Sequence, residues 1–160
     1  MRRVKEDEYV WAKKIAYDFF QENPIIRSAV FGNITLNADG FTHLIAKDLR
    51  HKRNQKNQMK RFELLKYLKP VLEGMKYYQE YLERKQAVKV KRNKTIFLEF
   101  RVVKYWAFVA VIKDRIRIKV ILKKIGDGTI IFWSIVPSWK LRGYKEFRKV
   151  VLSNGNLEED

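Results

Sequence analysis

The chain has 160 residues, 46% of them hydrophobic and 14% aromatic, which suits one domain with a substantial core. It carries 35 Lys and Arg against 18 Asp and Glu, a formal net charge of +17, and no cysteine. The lack of cysteine excludes a disulfide framework, a thiol nucleophile and a cysteine-bound zinc. The charge attracts polyanions, of which nucleic acid is the usual one, because phosphate contacts by Lys and Arg release counterions.

The sequence predicts neither a membrane span nor a signal sequence. No stretch approaches the roughly 18 uncharged apolar residues of a membrane span. The opening MRRVKEDEYVWAKK has no apolar signal core. We therefore expect a cytoplasmic protein without a membrane partner. The charge leaves two other interpretations open, namely simple solubility and attraction to an anionic membrane surface.

The first third of the chain predicts a helix, a short hairpin and a second helix. Apolar residues at helical spacing predict a helix over 5–22, which Pro24 ends. The stretch 25–36 predicts two short strands joined by a turn at Gly32-Asn33, and NADG (37–40) predicts a further turn. A helix is then predicted from Phe41 to about Asn54.

A third helix and a series of strands follow. The helix is predicted over about 57–75, where Pro70 kinks or divides it, and 75–86 is ambiguous between helix and extended chain. Three stretches rich in β-branched and aromatic residues then predict strands, at 95–113, 115–125 and 129–137. The expected fold class is α+β, with N-terminal helices packed on an antiparallel β-sheet, a meander of about four strands.

The predicted domain organisation is simple. Residues 1–152 form a single α+β domain, to which the helix 5–22 belongs either as a core element or as an appended one. Residues 153–160, SNGNLEED, are expected to form a flexible tail.

Both histidines lie in one basic stretch, GFTHLIAKDLRHKRN (40–54). On the predicted helix, His43, Lys47, Arg50 and Asn54 are spaced i, i+4, i+7 and i+11 and form one stripe. Such a stripe suits a phosphodiester, since an imidazole moves a proton near neutral pH and the cations hold the phosphate. The alternative is a solvated basic face with an incidental histidine. Other nucleic-acid contacts predicted here are Thr42, Arg53 and Asn54.

The predicted sheet carries a second basic line. Arg115, Arg117 and Lys119 alternate with isoleucines, so they share one face, about 7 Å apart, close to the phosphate spacing of an extended strand. The alternative is an ordinary solvent face. On the next strand, Trp133 stacks a base if it is exposed, and the alternative is a core tryptophan without that role. Ser134 can hydrogen-bond a phosphate, as any serine of a sheet can. No metal site is predicted, because the acids are scattered and two histidines without cysteine make a poor zinc site.

Two segments resemble small ribonucleases of the barnase–EndoU–colicin–RelE superfamily, in particular its phage and mobile-element branch. GNITLNADGFTHLIAKDLR (32–50) is similar to the strand-turn-helix segment of that branch, and FELLKYLKPVLEG (62–74) to its leucine-rich stretch. RIKVILKKIGDGTIIFWSIVPSWK (117–140) is similar to its final strands, with a Gly-x-Gly turn and an aromatic-Ser pair. No glutamate stands ready as a partner base.

The resemblance implies metal-independent RNA cleavage through a 2′,3′-cyclic phosphate, without a cofactor. His43 aligns with the histidine of the family pattern. Five further candidate catalytic residues match by position on the helix or sheet alone: Lys47, Arg50, Arg117, Lys119 and Ser134. We therefore expect a toxin-like or phage-derived endoribonuclease.

Two alternatives stay open. One is a non-catalytic RNA- or DNA-binding protein that uses the same basic faces, and the other is an interaction module without nucleic acid. The expected partners are RNA, ribosome-associated RNA included, and an acidic antitoxin or inhibitor protein that covers the positive charge.

Overall fold

The structure, a computed structural model, describes residues 5–112, 116–138, 151–152 and 157–160. Within them lie four α-helices: α1 (Glu6–Glu22), α2 (Ala38–Ile45), α3 (Gln55–Leu64) and α4 (Leu68–Gly74). A 3-10 turn, Leu65–Tyr67, separates α3 from α4. The strands are β1 (Ile25–Ser28), β2 (Gly32–Thr35), β3 (Glu80–Arg92), β4 (Thr95–Ile112), β5 (Ile116–Ile125), β6 (Ile130–Pro137) and β7 (Val151–Leu152). The α+β class is confirmed.

The sheet is larger than predicted, and it is mixed. Its order in the described residues is β1-β2-β6-β5-β4-β3-β7. Strands β3 to β6 form the predicted antiparallel meander. The estimate of about four antiparallel strands is nevertheless partly wrong, because β2 joins β6 in parallel through Thr35 and Ile131, and β7 joins β3 in parallel. A periodicity of two residues predicts a strand but says nothing about which distant strand it pairs with.

Strands β3 and β4 form one long hairpin, in which Glu80 to Arg92 pair with Ala107 to Thr95. Its two-residue turn, Asn93-Lys94, has φ values of 47° and 66°, as in a type I′ turn that matches the twist of the flanking strands. The ambiguous stretch 75–86 is therefore extended from Glu80 onward.

The two faces of the sheet pack against different parts of the chain. The helices pack on one face, where Phe20, Phe62 and Leu72 share a core with Phe108 and Phe132. The opposite face, here called the rear face, carries a second cluster: Val103, Tyr105, Ala107, Ile121 and Leu157. Because side chains alternate along a strand, Arg117, Lys119 and Lys123 project from β5 on the rear face beside Ile121.

Contacts of the described residues bear on the predictions for the first helix and for the C-terminal tail. Helix α1 belongs to the main core, since Phe20 packs edge-on against Phe132 at a centroid distance of 5.8 Å. It is therefore not an appended element. The prediction of a flexible tail is wrong for residues 157–160, because Leu157 is fully buried. Leu157 buries an apolar side chain, and the three acids that follow it pair with cations of this basic protein. The composition of the tail alone does not reveal these contacts.

The helix predicted over 41–54 is wrong at both ends. Helix α2 begins earlier, because the Asn37 side chain accepts a hydrogen bond from the Gly40 amide at 3.1 Å and caps it. NADG is thus a helix start rather than a turn. The helix ends at Ile45, and Asp48 Oδ1 then accepts from the amides of Arg50 and His51 at 2.8 and 3.0 Å. A short acidic side chain that binds nearby amides favours a turn over a helix.

Two smaller predictions concern turns near prolines and glycines. The first hairpin turns at 29–31, where Ser28 Oγ accepts from the amides of Val30 and Phe31, so the turn predicted at Gly32-Asn33 is misplaced. The predicted division of the third helix is confirmed, with Pro70 in the first turn of α4, where a missing amide hydrogen costs little.

Candidate functional site

The predicted basic stripe does not exist, because α2 ends before Lys47. His43 is buried, with 3% of its surface exposed, whereas Lys47 and Arg50 lie in the exposed turn that follows α2. Asn54 caps α3 by accepting from the Asn57 amide at 2.8 Å. The histidine therefore faces the protein interior, and the predicted helical spacing between it and the cations has no structural counterpart.

His43 is held as a neutral ring between an indole and a guanidinium. Its ring stacks on Trp133 at a centroid distance of 3.9 Å and an interplanar angle of 18°. Its Nε2 lies 3.3 Å from Nη2 of Arg53. Burial, and then the charges of Arg53 and Arg61, lower the pKa of His43 to about 3. The imidazole is uncharged at neutral pH and is a weak base, far from the pKa that suits proton transfer at pH 7.

Trp133 is covered on both faces of its ring. His43 stacks on one face, and Lys123 Nζ lies 3.7 Å from the ring centroid, a cation–π contact. The indole Nε1 donates to the main-chain oxygen of Glu158 at 3.0 Å. The predicted stacking of a base on Trp133 would require Lys123 to move aside, and burial already lowers the pKa of that lysine.

Two arginines, Arg53 before α3 and Arg61 within it, also lie close to His43 and Ser134. Arg53 Nε donates to the main-chain oxygen of His43 at 3.1 Å, and Arg61 Nε donates to Asn57 Oδ1 at 2.9 Å. Burial, and then the neighbouring Arg53, lower the pKa of Arg61 to about 9, so the guanidinium keeps its charge at pH 7. Two adjacent, partly desolvated guanidiniums repel each other unless an anion lies between them.

Three donors converge on one oxygen. The main-chain oxygen of Asp160 accepts from Ser134 Oγ at 2.7 Å, from Arg53 Nη2 at 3.1 Å and, at very close range, from Arg61 Nη1. Arg61 Nη1 also donates to Ser134 Oγ at 2.6 Å. Coordination by three donors, two of them cationic, suits an oxygen that carries negative charge.

Acidic side chains of residues 158–160 pair with further cations around this point. Lys47 Nζ lies 2.8 Å from Glu159 Oε2, and Arg84 Nη1 lies 3.3 Å from Glu158 Oε2. Lys119 Nζ bridges two carboxylates, at 2.8 Å from Glu80 and 3.7 Å from Asp160 Oδ2. We call residues Leu157–Asp160 the acidic segment. Its position shows that these cations surround a site suited to negative charge.

A cleft of about 530 Å³ opens beside the convergence point. We call it the basic cleft, because four of its lining residues are Lys or Arg. Its walls are Asn54, Lys56, Asn57, Lys60, Arg61, Lys119, Val136, Pro137, Ser138 and Asp160. A volume of this size lies within the range of small-ligand pockets, about 300–1,000 Å³.

The structure brings together part of the predicted site. His43, Lys47, Arg53, Lys119, Trp133 and Ser134 all contact one another or the acidic segment. Thr42 and Arg50 are exposed away from these contacts, and Arg117 projects from the rear face of β5. Arg115 lies outside the described residues.

Sequence reasoning missed Arg61, Lys123 and the acidic segment. Arg61 did carry a usable indication, because Gln58 and Arg61 interrupt the apolar stripe that Phe62 and Leu65 form on α3 and beyond. A polar residue at a core-facing position is expected to have a buried partner. Nothing in the sequence indicated Lys123, since basic residues alternate with apolar ones on many exposed strands.

Comparisons with protein-family models, curated proteins and solved structures found no match to this chain. The likeness to the barnase–EndoU–colicin–RelE superfamily therefore stays a prediction. None of the helices in the described part of the chain has the length and apolar character that crossing a membrane requires. The same residues contain no group of three or more His, Asp or Glu able to hold a metal ion.

Proposed function

We propose that this protein binds single-stranded RNA, with the phosphates lying in the basic cleft and at the point where Arg53, Arg61 and Ser134 converge. The observation that carries the proposal is the coordination of a single oxygen by these three residues. A phosphate oxygen carries the charge and the lone pairs that such a set of donors satisfies. The net charge of +17 favours encounter with a polyanion from every direction.

The form of the site supports a flexible strand rather than a duplex. Arg61 is buried and Arg53 is half-buried, and the cleft beside them has a volume of about 530 Å³. An extended strand can present one phosphate to the arginines and the next to Lys56 or Lys60.

The binding experiment compares two double variants that remove the same charge. Lys56→Ala with Lys60→Ala changes two exposed lysines of the basic cleft, and Lys66→Ala with Lys69→Ala changes two exposed lysines near α4. Affinity for a fluorescent single-stranded RNA is measured by anisotropy from 50 to 200 mM salt. Because each phosphate contact of a single strand contributes about 0.7 to the salt slope, the cleft variant is expected to flatten the slope by about 1.4.

The control variant is expected to leave that slope nearly unchanged, since its lysines lie away from the cleft. Equal changes in both variants would mean that the positive charge acts diffusely and that the cleft is not the site. A parent protein whose affinity does not depend on salt would remove the nucleic-acid proposal altogether.

The second candidate function is the metal-independent RNA cleavage predicted from the sequence. One observation favours it: donors that converge on one oxygen also stabilise the charge that develops on a phosphoryl oxygen during cleavage. His43 is a poor proton carrier at pH 7, with a pKa of about 3. Glu80 is the better candidate for a base, since its carboxylate lies across Lys119 from the site of Asp160.

The cleavage test looks for a 2′,3′-cyclic phosphate product in the presence of EDTA. Glu80→Gln is expected to lower the rate by about 10²–10⁴, the usual contribution of a positioned acid or base, with RNA affinity nearly intact. His43→Gln is the matched comparison, and it distinguishes the carboxylate from the histidine predicted from the sequence. If the parent binds RNA but produces no cyclic phosphate, the cleavage function is refuted and only the binding function remains.

A further inference from the structure

The acidic segment lies in the site in the manner of a bound ligand. We propose that Arg53, Arg61, Trp133 and Ser134 form a recognition site for a short acidic peptide, which the chain's own residues 157–160 fill, and that peptide and nucleic acid compete for it. The competition rests on the proposed function, because nucleic acid is the competing ligand. The peptide site itself depends only on the contacts described below.

The main chain of the segment is recognised at three successive residues. Trp133 Nε1 donates to the oxygen of Glu158 at 3.0 Å, and Arg53 Nη2 donates to the oxygen of Glu159 at 2.8 Å. The oxygen of Asp160 receives the three donors already described. Side chains that bind consecutive main-chain oxygens select a peptide in one conformation and in one register.

Side chains of the segment define the chemistry of the ligand. Leu157 is fully buried on the rear face against Val103, Tyr105, Ala107 and Ile121. The acids that follow pair with Arg84, Lys47 and Lys119. The site thus fits one apolar residue followed by three acidic ones, an apolar anchor with a charged extension.

Occupation of the site by the segment and by a phosphate is mutually exclusive. Arg53, Arg61 and Ser134 cannot direct their donors to the Asp160 oxygen and to a phosphate oxygen at the same position. The segment also places anionic side chains beside Lys119, which lines the basic cleft. Nucleic acid therefore binds the fraction of molecules in which the segment is displaced, and its apparent affinity is reduced by that fraction.

The first test removes the apolar anchor without changing the charge. Leu157→Ser is expected to raise the affinity for single-stranded RNA by about tenfold to a hundredfold, the range that burial of one leucine side chain provides. Leu49→Ser is the matched control, because Leu49 is 95% exposed and the same substitution there should leave RNA affinity unchanged. An unchanged affinity for folded Leu157→Ser, or the same rise in the control, would overturn the competition.

A second variant covers the case in which Leu157→Ser does not fold. The triple variant neutralises the acids of the segment: Glu158→Gln, Glu159→Gln and Asp160→Asn. Its control makes the same change of charge in the first turn of α1: Glu6→Gln, Asp7→Asn and Glu8→Gln. The segment variant is expected to gain at least about tenfold more RNA affinity than the control, whereas equal gains would reduce the effect to net charge and refute the competition.

The third test measures the peptide site without nucleic acid. A fluorescein-labelled peptide of residues 155–160 is expected to bind the triple variant and to bind the parent at least about tenfold more weakly, because the parent's site is filled. A peptide with serine in place of Leu157 should not bind. RNA should displace the bound peptide.

The outcomes separate this inference from the proposed function. If the peptide binds the triple variant but RNA neither binds nor displaces it, the peptide site stands and the RNA function fails. If RNA binds through the cleft but the peptide does not bind and the segment variants change nothing, the function stands and the peptide site fails.

Discussion

Lowering the pH from 7 to 5 is expected to destabilise this protein because His43 is neutral in the folded state. Burial, and then Arg53, Arg61 and Lys123, lower the pKa of His43 to about 3. In the unfolded chain the pKa returns to about 6.5. Between these two values the unfolded state binds more protons than the folded state, so stability rises with pH. The contribution is complete above about pH 6.5 and is lost progressively as the pH falls toward 3.

The expected size follows from the difference between the two pKa values. One pH unit below the unfolded pKa corresponds to about 1.4 kcal/mol, so at pH 5 the free energy of unfolding falls by about 2 kcal/mol. For a chain of this length that loss lowers the melting temperature by about 4–8 °C. Urea unfolding at pH 7, 6 and 5, followed by tryptophan fluorescence, measures it directly.

Two glutamine variants isolate the contribution of His43 from that of other titrating groups. His43→Gln cannot titrate, so its stability should depend on pH less steeply than that of the parent by the same 2 kcal/mol or so at pH 5. His51→Gln is the control, because His51 is exposed beside Asp48. If the free energy of unfolding falls equally for the parent and for His43→Gln between pH 7 and 5, His43 is not a buried neutral imidazole. The accessible proton carrier predicted from the sequence would then regain support.

Three further outcomes follow from single contacts. Gly40→Ala would make the added Cβ overlap with the Phe132 main-chain oxygen, so α2 must move away from β6. A loss of about 1–3 kcal/mol in the free energy of unfolding is expected by calorimetry. Gly74→Ala, with open space around it, should cost nothing. Equal melting temperatures for the two variants would contradict that close approach. The other two substitutions are made in the triple variant of the acidic segment, in which the segment no longer competes with RNA. There Arg61→Lys keeps the charge but is expected to weaken RNA binding about tenfold in anisotropy, since an ammonium lacks the planar fork. Ser134→Ala should weaken binding to a similar or smaller degree, and unchanged affinity in both would exclude the convergence point as a phosphate site.

Much of the secondary structure could be predicted because it depends on local patterns. The helix 5–22 and the strands at 115–125 and 129–137 carry clear periods of 3.6 and two residues, and the structure confirms them. Boundaries set by side-chain hydrogen bonds were missed. The Asn37 cap moved the start of α2, and the Asp48 turn removed the second half of the predicted helix.

The site itself was only partly predictable. Residue type and local charge indicated His43, Arg53, Lys119 and Ser134 as a group suited to a phosphate. The role expected of His43 depended on its being exposed, and exposure is a property of the packed protein. Once α2 lies against β6, the imidazole is enclosed by Trp133 and Arg53 and loses its proton.

The sequence by itself determined the α+β class, the antiparallel meander and the net charge of +17, since these depend on periodicity and composition. Only the tertiary structure decided which charges meet. Arg61 and Ser134 are 73 positions apart in the chain, yet together with Arg53 they share one acceptor. The acidic segment reaches that acceptor position from residues 157–160. Electrostatic and hydrogen-bonding contacts act over a few ångströms in space, and a linear pattern carries no record of such distances.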